Sequence, residues 1–324
     1  MIAERSKRFR ALAPRVVALG GGHGLAASLR AAQTFASNIV GVVSVADDGG
    51  SSGRLRRELG LPAPGDLRRC LSALASDDSL IARSLEHRFE AGSLEGHPLG
   101  NLLLAGLAEA GGDFQQAISE VARLVGAVGT IYPATNGPVT LLANTREGSI
   151  RGQVTIEESS EIRDLRFDPA DPAAPAEAVD AILGADQVIV GPGSLFTSVL
   201  ACALVPDVLT ALRSTSAQRV FVANVANDRA EAHGFDLAAH VDTLHSYGVP
   251  IDVVLADGVA PEDAGEPHGA EESGGDRTAD RTIGGCRLVV ADMAASDGWG
   301  HRPERLGRAL AELYAEMVSE REIG

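Results

Sequence analysis

The sequence predicts an α/β protein with a doubly wound, mainly parallel sheet and a small antiparallel hairpin region. Two observations lead to this prediction. Short β-branched runs alternate with runs of helical apolar spacing along most of the 324 residues, and this alternation builds a parallel sheet covered by helices. Glycine-rich segments directly follow strands at two places and a small-residue acidic segment follows a third, and ligands in such folds bind beyond the carboxyl ends of strands. We therefore expect one ligand cleft at that edge of the sheet.

Apolar β-branched runs, such as RVVAL and IVGVVSVA, are typical of strands buried on both faces of a sheet. They predict strands at residues 15–19, 39–46, 131–156 (several strands with a hairpin around Glu147 and Gly148), 162–167, 187–190, 220–225, 251–255 and 287–291. Apolar residues at helical spacing predict helices at residues 25–34, 67–75, 79–89, 99–110, 114–125, 175–183, 195–203, 237–247 and 303–318.

One domain is predicted from residue 15 to residue 324. Residues 1–14 are basic and lack an apolar run, so we expect a flexible tail and not a signal peptide. Residues 258–282 are rich in Gly, Glu, Asp and Ala and have almost no large apolar residue. That composition predicts a disordered surface insertion.

Composition disfavours several classes of protein. The net charge of −16 argues against nucleic-acid binding, because an acidic surface repels phosphate backbones. No apolar run is long enough to span a bilayer, and nothing directs export, so we expect a cytoplasmic protein. Cys70, Cys202 and Cys286 are far apart, and their spacing predicts neither disulfides nor a cysteine zinc site. Lys7 is the only lysine, so a phosphate must be bound by arginine or by backbone N–H groups.

The segment between the first strand and the first helix contains Gly21, Gly22, His23 and Gly24. Together with Ala27 it matches G-x-G-x-x-A. In that motif the glycines let the backbone approach a phosphate, and the helix N-terminus directs N–H groups at it. The same residues also fit a tight turn with close helix–strand packing. His23 has no partner visible in the sequence, so we expect a neutral hydrogen-bonding group.

The second strand ends in the segment ADDGGSSGR, residues 46–54, whose small and polar residues predict a loop outside the core. Asp47 can accept hydrogen bonds from a ribose or sugar hydroxyl, or hold Mg²⁺, and the serines and arginine can bind phosphate. The alternative is a long solvated loop. The ligand residues predicted here are Asp47, Asp48, Gly50, Ser51, Ser52 and Arg54.

The third loop, residues 191–194, again connects a strand to a helix. Its predicted ligand residues are Gly191, Gly193 and Ser194, and Ser194 is either an N-cap or a ligand donor. Three such loops predict one cleft lined by backbone donors and suited to a nucleotide that carries a diphosphate. Helix capping explains three further candidates at least as well as ligand binding does: Asp66, Asn101 and Asn224.

The residues alone indicate a phosphate-ligand cleft. No HExxH metal motif, G-x-S-x-G elbow or Cys/His nucleophile pattern is present, so we predict no catalytic residue and leave the metal ligands undefined. Two alternatives stay open. The spacing from the first glycine motif to Asp47 matches the dinucleotide fingerprint and favours NAD binding. The acidic pair Asp47 and Asp48 favours a Mg²⁺-dependent transferase that moves a phosphoester-linked group.

Five ordered segments resemble a known family. They are GGGHGLAASLR, VVSVADDGGSSGRLR, PGDLRRCLSALA, GHPLGNLLLAGL and GPGSLFTSV. They resemble the YvcK-type gluconeogenesis factors, which are relatives of 2-phospho-L-lactate transferase (CofD). The resemblance extends from about Val16 to about Val225 and then weakly to the C-terminus.

The resemblance implies a Rossmann-like fold and binding of UDP-sugars such as UDP-N-acetylglucosamine or UDP-glucose. It also implies a regulatory role in carbon metabolism, cell shape and the cell envelope, exerted through an unidentified protein partner, with no established catalysis. Its enzymatic alternative is transfer of a phospholactate-type group. A symmetric homodimer is expected for a cytosolic protein of this class.

By resemblance, the family's glycine loops fall on residues 20–24 and 191–194, its acidic loop on residues 47–54, and its asparagine at a helix start on Asn101. Within the first glycine loop, His23 replaces the usual threonine.

Two segments, residues 226–235 and 300–303, depart from the family pattern. Phe235 stands where a tyrosine is common. The segment GHRP replaces a motif like Arg-His-Asp-Pro, and Arg302 is a candidate replacement for the missing arginine. These departures leave open which nucleotide the protein binds.

Overall fold

The computed structural model of the chain describes residues 13–76, 79–225, 230–258, 281–295 and 300–323. The predicted tail at residues 1–14, except for its last two residues, lies outside the described residues. So do residues 259–280 of the predicted insertion and residues 226–229 of the first segment that departs from the family pattern.

The predicted fold class is confirmed. The strands within the described residues are β1 Arg15–Gly20, β2 Asn38–Val43, β3 Thr130–Pro133, β4 Thr140–Asn144, β5 Ser149–Arg151, β6 Asp164–Asp168, β7 Gln187–Val190, β8 Gln218–Val222, β9 Val253–Asp257, β10 Thr282–Ile283 and β11 Cys286–Ala291. They form one sheet of eight strands and one sheet of three strands.

Helices connect the strands. They are α1 Gly22–Ala32, α2 Gly50–Leu59, α3 Gly65–Leu74, α4 Leu80–Leu85, α5 Leu99–Gly111, α6 Phe114–Val125, α7 Gln153–Glu157, α8 Ala176–Leu183, α9 Leu195–Ala203, α10 Pro206–Ser214, α11 Leu237–Ser246 and α12 Pro303–Ile323. The first part of α9, Leu195–Leu200, is π-helical. Short 3₁₀ turns occur at Gly92–Leu94 and Ala230–Ala232.

The large sheet has the strand order β10-β11-β9-β8-β7-β1-β2-β3, and each of its pairings is parallel except β10 with β11. From β1 the chain moves outward through β2 to β3, and from β7 it moves outward in the opposite direction. The strand order therefore reverses between β1 and β7, which opens a crevice beyond their carboxyl ends. Leu19 lies opposite Val190 in this pairing, so the loops that follow β1 and β7 begin at the same level.

The small sheet has the order β5-β4-β6 and is antiparallel throughout. The turn between β4 and β5 is closed by the Thr145 N–H, which donates to the Gly148 carbonyl at 2.8 Å. The structure thus has the hairpin that the sequence predicts around Glu147 and Gly148. The chain continues from β5 into α7, which lies in a segment that the sequence predicts as strands.

The core lies between the large sheet and the helices on its faces. All four residues of β7 are buried, as are the last five residues of β1 and of β2, which explains why these strands are almost wholly apolar.

Cys70, Cys202 and Cys286 are free thiols, and each is buried. No single helix in the described ranges is both long and apolar enough to cross a bilayer. Helices α9 and α10 taken together have the length and composition of a membrane span, but the chain bends by 73° between them.

The predicted loop at residues 46–54 is wrong beyond Gly49, because α2 begins at Gly50. Ser51 and Ser52 are 5% and 4% exposed, so these small polar residues do form part of the interior. Gly53 likewise has no room for a side chain, because a Cβ there would lie only 1.9 Å from the Asp48 carbonyl oxygen. Helix α10 is a further element that the sequence does not predict.

Candidate functional site

A cavity of about 810 Å³ lies at the crevice between β1 and β7, and both glycine loops line it. The two loops are in direct backbone contact. A Cβ on Gly24 would lie 2.2 Å from the Pro192 carbonyl oxygen, and one on Gly193 would lie 3.7 Å from the Gly21 carbonyl oxygen. Segments about 170 residues apart in the chain therefore form one wall. We call this space the switch-point cavity.

The first glycine loop is shaped around Asp66 of α3. The Gly22 N–H donates to Asp66 Oδ2 at 2.8 Å, and a Cβ on Gly21 would lie 2.7 Å from the same oxygen. Gly22 has a φ of +64°, which a residue with a side chain rarely adopts. Desolvation and the charge of Arg69 lower the pKa of His23, so its imidazole is neutral at pH 7.

The second glycine loop is held by Asn224, which follows β8. Asn224 Oδ1 accepts from the Gly193 N–H at 2.9 Å, and its Nδ2 donates to the Gly193 carbonyl at 3.0 Å. The Gly191 N–H donates to the Leu19 carbonyl at 3.0 Å, and Ser28 Oγ donates to the Gly191 carbonyl at 2.9 Å. These bonds fix the position of the loop against β1 and α1.

The sequence predicts that main-chain amides bind the phosphates, and the structure narrows which amides can do so. The N–H groups of Gly22, Gly191 and Gly193 already donate to acceptors within the protein. Asp66 occupies the position at the start of α1 where a phosphate oxygen would otherwise lie. An anionic ligand must therefore approach a site that already contains a carboxylate.

The ionisable residues that line the cavity include three carboxylates, from Asp47, Asp66 and Glu157, and one guanidinium, from Arg69. Arg69 forms an ion pair with Asp66, which removes much of its positive charge from the cavity. Burial raises the pKa of Asp47, and the charge of Asp66 raises it further, while the Gly49 N–H at 2.9 Å opposes the shift. Among the described residues that line the cavity, carboxylates thus outnumber cations, so a diphosphate bound there would need a counter-ion.

Asp47 and Asp66 fit the chemistry of a divalent cation. Mg²⁺ commonly takes one or two protein carboxylates and completes its shell with phosphate oxygens and water. Within the described ranges, no group of three or more His, Cys, Asp or Glu side chains could hold a metal. Mg²⁺ held by these two aspartates would therefore share its shell with oxygens of the ligand.

Asp48, the other aspartate predicted to hold Mg²⁺, does not line this cavity. Its carboxylate accepts from the Gln153 and Val154 N–H groups, each at 3.1 Å, at the start of α7. Adjacent side chains leave an extended segment on opposite sides, so Asp47 and Asp48 serve different neighbours.

Nine of the predicted ligand residues line the cavity: Gly21, Gly22, His23, Gly24, Asp47, Asp66, Gly193, Ser194 and Asn224. Seven others are not among the residues that line it: Asp48, Gly50, Ser51, Ser52, Arg54, Asn101 and Gly191. Ser194 makes no side-chain cap to the helix that follows it. Asp66 is likewise no N-cap, because α3 begins one residue earlier.

Helix α2 explains why its serines and Asn101 do not reach the cavity. Ser51 Oγ lies 2.8 Å from His97 Nδ1 and accepts from Asn101 Nδ2 at 3.1 Å. All three residues are buried, so this network fastens α2 to α5. Arg54 donates to the Glu95 carbonyl at 2.9 Å.

Other residues that line the cavity are ones that the sequence does not single out as ligand residues. They include Ser44, Gln153, Glu157, Thr197, Ser198, Ala295 and His301. Thr197 and Ser198 interrupt the apolar run LFTSVL, and that interruption is a usable signal. The ring of Phe235 packs edge-on against that of Phe196, with 6.3 Å between the ring centroids, and Phe235 does not line the cavity. Arg302 is exposed and does not line it either.

Comparison with known proteins gives the family of the chain. The family model described as "2-phospho-L-lactate transferase CofD" matches residues 16–293. A "Putative gluconeogenesis factor" from Mycobacterium tuberculosis is 41% identical over 320 residues, which cover 94% of this chain and 91% of that protein. A "Gluconeogenesis factor" from Halalkalibacterium halodurans is 40% identical over 246 residues, covering 74% of this chain and 76% of that protein.

A solved structure is also similar. The crystal structure of a member of the upf0052 family from Bacillus halodurans superimposes with a TM-score of 0.80 and 32% identity, over 91% of this chain and 97% of that one. Sequence and fold thus give the same assignment. The chain belongs to the CofD family, among relatives that carry the name gluconeogenesis factor.

Proposed function

We propose that the protein binds a nucleotide sugar, UDP-N-acetylglucosamine or UDP-glucose, in the switch-point cavity and acts as a regulator of carbon metabolism. The observation that carries the proposal is the contact between the two glycine loops around one cavity. Its volume of about 810 Å³ lies in the range of small-molecule sites and suits a ligand of nucleotide size. The names of the relatives support a role in gluconeogenesis.

The proposal includes Mg²⁺ as part of the bound complex. The cavity has more carboxylates than cations, and the diphosphate of a nucleotide sugar is itself anionic. Asp47 and Asp66 would hold the ion, which would neutralise the ligand's charge beside the first glycine loop. Asn224 and Asp66 would keep the two glycine loops in place around the ligand.

The regulatory part of the proposal assigns no catalytic residue. Binding would change the affinity for a protein partner, which is still to be identified, and would affect cell shape and the cell envelope through it. Nucleotide sugars are intracellular metabolites, so the proposal expects a cytoplasmic protein. A homodimer is expected from the symmetry of such proteins in general.

Isothermal titration calorimetry tests the proposal. The full chain is titrated with UDP-N-acetylglucosamine and with UDP-glucose, each with Mg²⁺ and with EDTA. We expect binding that weakens at least tenfold when Mg²⁺ is removed. Asp66→Asn should lose the dependence on Mg²⁺, whereas Asp180→Asn, which removes an exposed carboxylate on α8, should keep it. The absence of binding to any uridine nucleotide would refute the proposal.

A second candidate is a Mg²⁺-dependent transferase, which the family description and the two cavity aspartates favour. In that case the protein would convert a nucleotide-activated phospholactate and a deazaflavin acceptor into product in the presence of Mg²⁺. Chromatography of the reaction mixture measures this turnover. Binding of a UDP-sugar without turnover supports the regulator, and turnover supports the transferase.

NAD binding is the third candidate, because Asp47 and the first glycine motif line the same cavity at the spacing of the dinucleotide fingerprint. A thermal-shift series with NAD, UDP-N-acetylglucosamine and both together separates the two ligands. A shift produced by NAD alone would favour this candidate over the nucleotide sugar.

A further inference from the structure

A second, smaller cavity lies beside the start of α7. Its volume is about 280 Å³, and it is lined by Arg56 and Arg57 of α2, Arg151 of β5, Thr140 of β4 and Asp48. We call it the arginine pocket. Its three guanidinium groups come from two separate parts of the fold, so their convergence is a property of the tertiary structure and not of a local run of arginines.

The positive charge of the arginine pocket is poorly compensated. Asp48 is the only carboxylate among the described residues that line it, and one carboxylate balances at most one of the three guanidinium charges. Arg151 has an exposed ion pair with Asp168 at 2.7 Å, and such pairs contribute little. Arg57 is exposed and donates to the Asp48 carbonyl at 3.5 Å.

Arg56 is the most buried of the three arginines, and its bonds in the protein are to neutral groups. It donates to the Ala46 carbonyl at 3.3 Å and to Thr140 Oγ1. Burial is the main cause that lowers the pKa of Arg56; Asp48 opposes this shift most strongly, the charges of Arg151 and Arg57 add to it, and Asp47 also opposes it. Arg219 shows the opposite behaviour, since its bond with Asp252 raises its pKa. Arg56 therefore lies where another negative charge would be stabilising.

We propose that the arginine pocket is a second binding site, specific for a small phosphate group. Guanidinium forks match the geometry of phosphate oxygens and bind them with charge-assisted, bidentate hydrogen bonds. The pocket is about one third the volume of the switch-point cavity, so it suits inorganic phosphate or the phosphate end of a small monoester. A nucleotide sugar does not fit within it.

Helix α7 connects the two sites. Gly152 lines the arginine pocket, whereas Gln153 and Glu157 line the switch-point cavity. Asp48 holds the start of this helix, and its neighbour Asp47 lines the larger cavity. A phosphate bound to the arginines would draw them away from Asp48 and shift the start of α7. We therefore expect each ligand to alter the affinity for the other by the same factor.

The pocket is tested by calorimetry on the full chain without any nucleotide sugar, so the result does not depend on the function proposed above. The probes are inorganic phosphate, glucose 6-phosphate and glucose. The test variant is Arg57→Gln with Arg151→Gln, because both side chains are exposed. The matched control is Arg83→Gln with Arg123→Gln, which removes two exposed charges from α4 and α6.

We expect the wild type and the control to bind a phosphate probe, the test variant to bind it at least tenfold more weakly, and glucose not to bind. Equal affinity for both phosphate probes identifies free phosphate as sufficient, and tighter binding of the ester identifies a monoester ligand. Circular dichroism and thermal unfolding verify that both variants fold. The proposal is overturned if the wild type binds neither phosphate probe, or if the test and control variants bind equally well.

Discussion

The contact between the two glycine loops leads to a sharp prediction for Gly24→Ala. The new Cβ would lie 2.2 Å from the Pro192 carbonyl oxygen and 2.6 Å from its carbon. Real Cβ atoms stay at least 3.0 Å from such neighbours, so the backbone must move by about 0.8 Å at this point. Because the obstacle is backbone, no side-chain rotation relieves it.

The magnitude follows from comparison with Gly106→Ala. Both glycines are in helices, and alanine there is favoured over glycine by roughly 0.5–1 kcal/mol. Gly106 has no atom within 4 Å of the added Cβ, so this substitution should stabilise the protein. The helical gain is common to both variants and cancels, and overpacking at Gly24 costs about 1–3 kcal/mol, so the two variants should differ by about 1–3 kcal/mol in free energy of unfolding.

Urea titration followed by circular dichroism measures this difference, and calorimetry measures the affinity for UDP-N-acetylglucosamine. Gly24→Ala should also bind the ligand at least tenfold more weakly, because the loops that surround it no longer meet in the same geometry. Gly106→Ala should bind as the wild type does. If Gly24→Ala is as stable as Gly106→Ala, the described contact between the loops is incorrect.

Three further substitutions test other parts of the site. Asp47→Asn should raise the melting temperature of the protein at pH 7 without ligand or Mg²⁺. The pKa of Asp47 is raised above its ordinary 3.8, so its stabilisation, complete below that value, is lost as pH rises through the raised pKa. A difference in melting temperature from wild type that does not narrow as the pH is lowered from 7 to 4 would contradict this. Ser51→Ala should cost about 1–3 kcal/mol in urea titration, because it leaves His97 without its buried partner. It should leave the affinity for UDP-N-acetylglucosamine unchanged, and a selective loss of that affinity would show that Ser51 contacts the ligand after all. Asn224→Asp places a carboxylate oxygen against the Gly193 carbonyl in place of a donor, which should lower both thermal stability and ligand affinity. Unaltered calorimetry for this variant would mean that the second glycine loop is not held as described.

The sequence predicts the large sheet well because its strands are buried on both faces and therefore almost wholly apolar. The runs RVVAL and QVIV are mostly apolar and therefore predict buried strands, and the glycines after them mark where the strands end. The sequence does not predict α2, since its first residues, GSSG, have low helix propensity. Tertiary bonds from Ser51 to His97 and Asn101 hold that helix, and no local pattern reveals them.

In the candidate site, too, local sequence patterns reveal some residues and only the tertiary structure reveals the others. The sequence identifies the glycine loops and Asp47, because each follows the end of a strand, whereas Asp66 is a candidate that capping explains equally well until its bond to Gly22 is seen. It cannot tell that Asp48 turns toward α7, because the direction of adjacent side chains depends on where the backbone runs. Further lining residues come from α7, which has no motif of its own, and from His301, which stands in a segment that departs from the family pattern.

The two halves of the cavity wall are made at different times during synthesis. Gly24 and Asn224 are separated by 200 residues, which a ribosome needs about 10–40 s to translate. During that interval the first loop exists without the backbone of residues 191–194 that rests against it, and Asp66 alone occupies its amides. If the cavity binds a nucleotide sugar as proposed, that ligand can stabilise only protein whose second half has already joined the sheet.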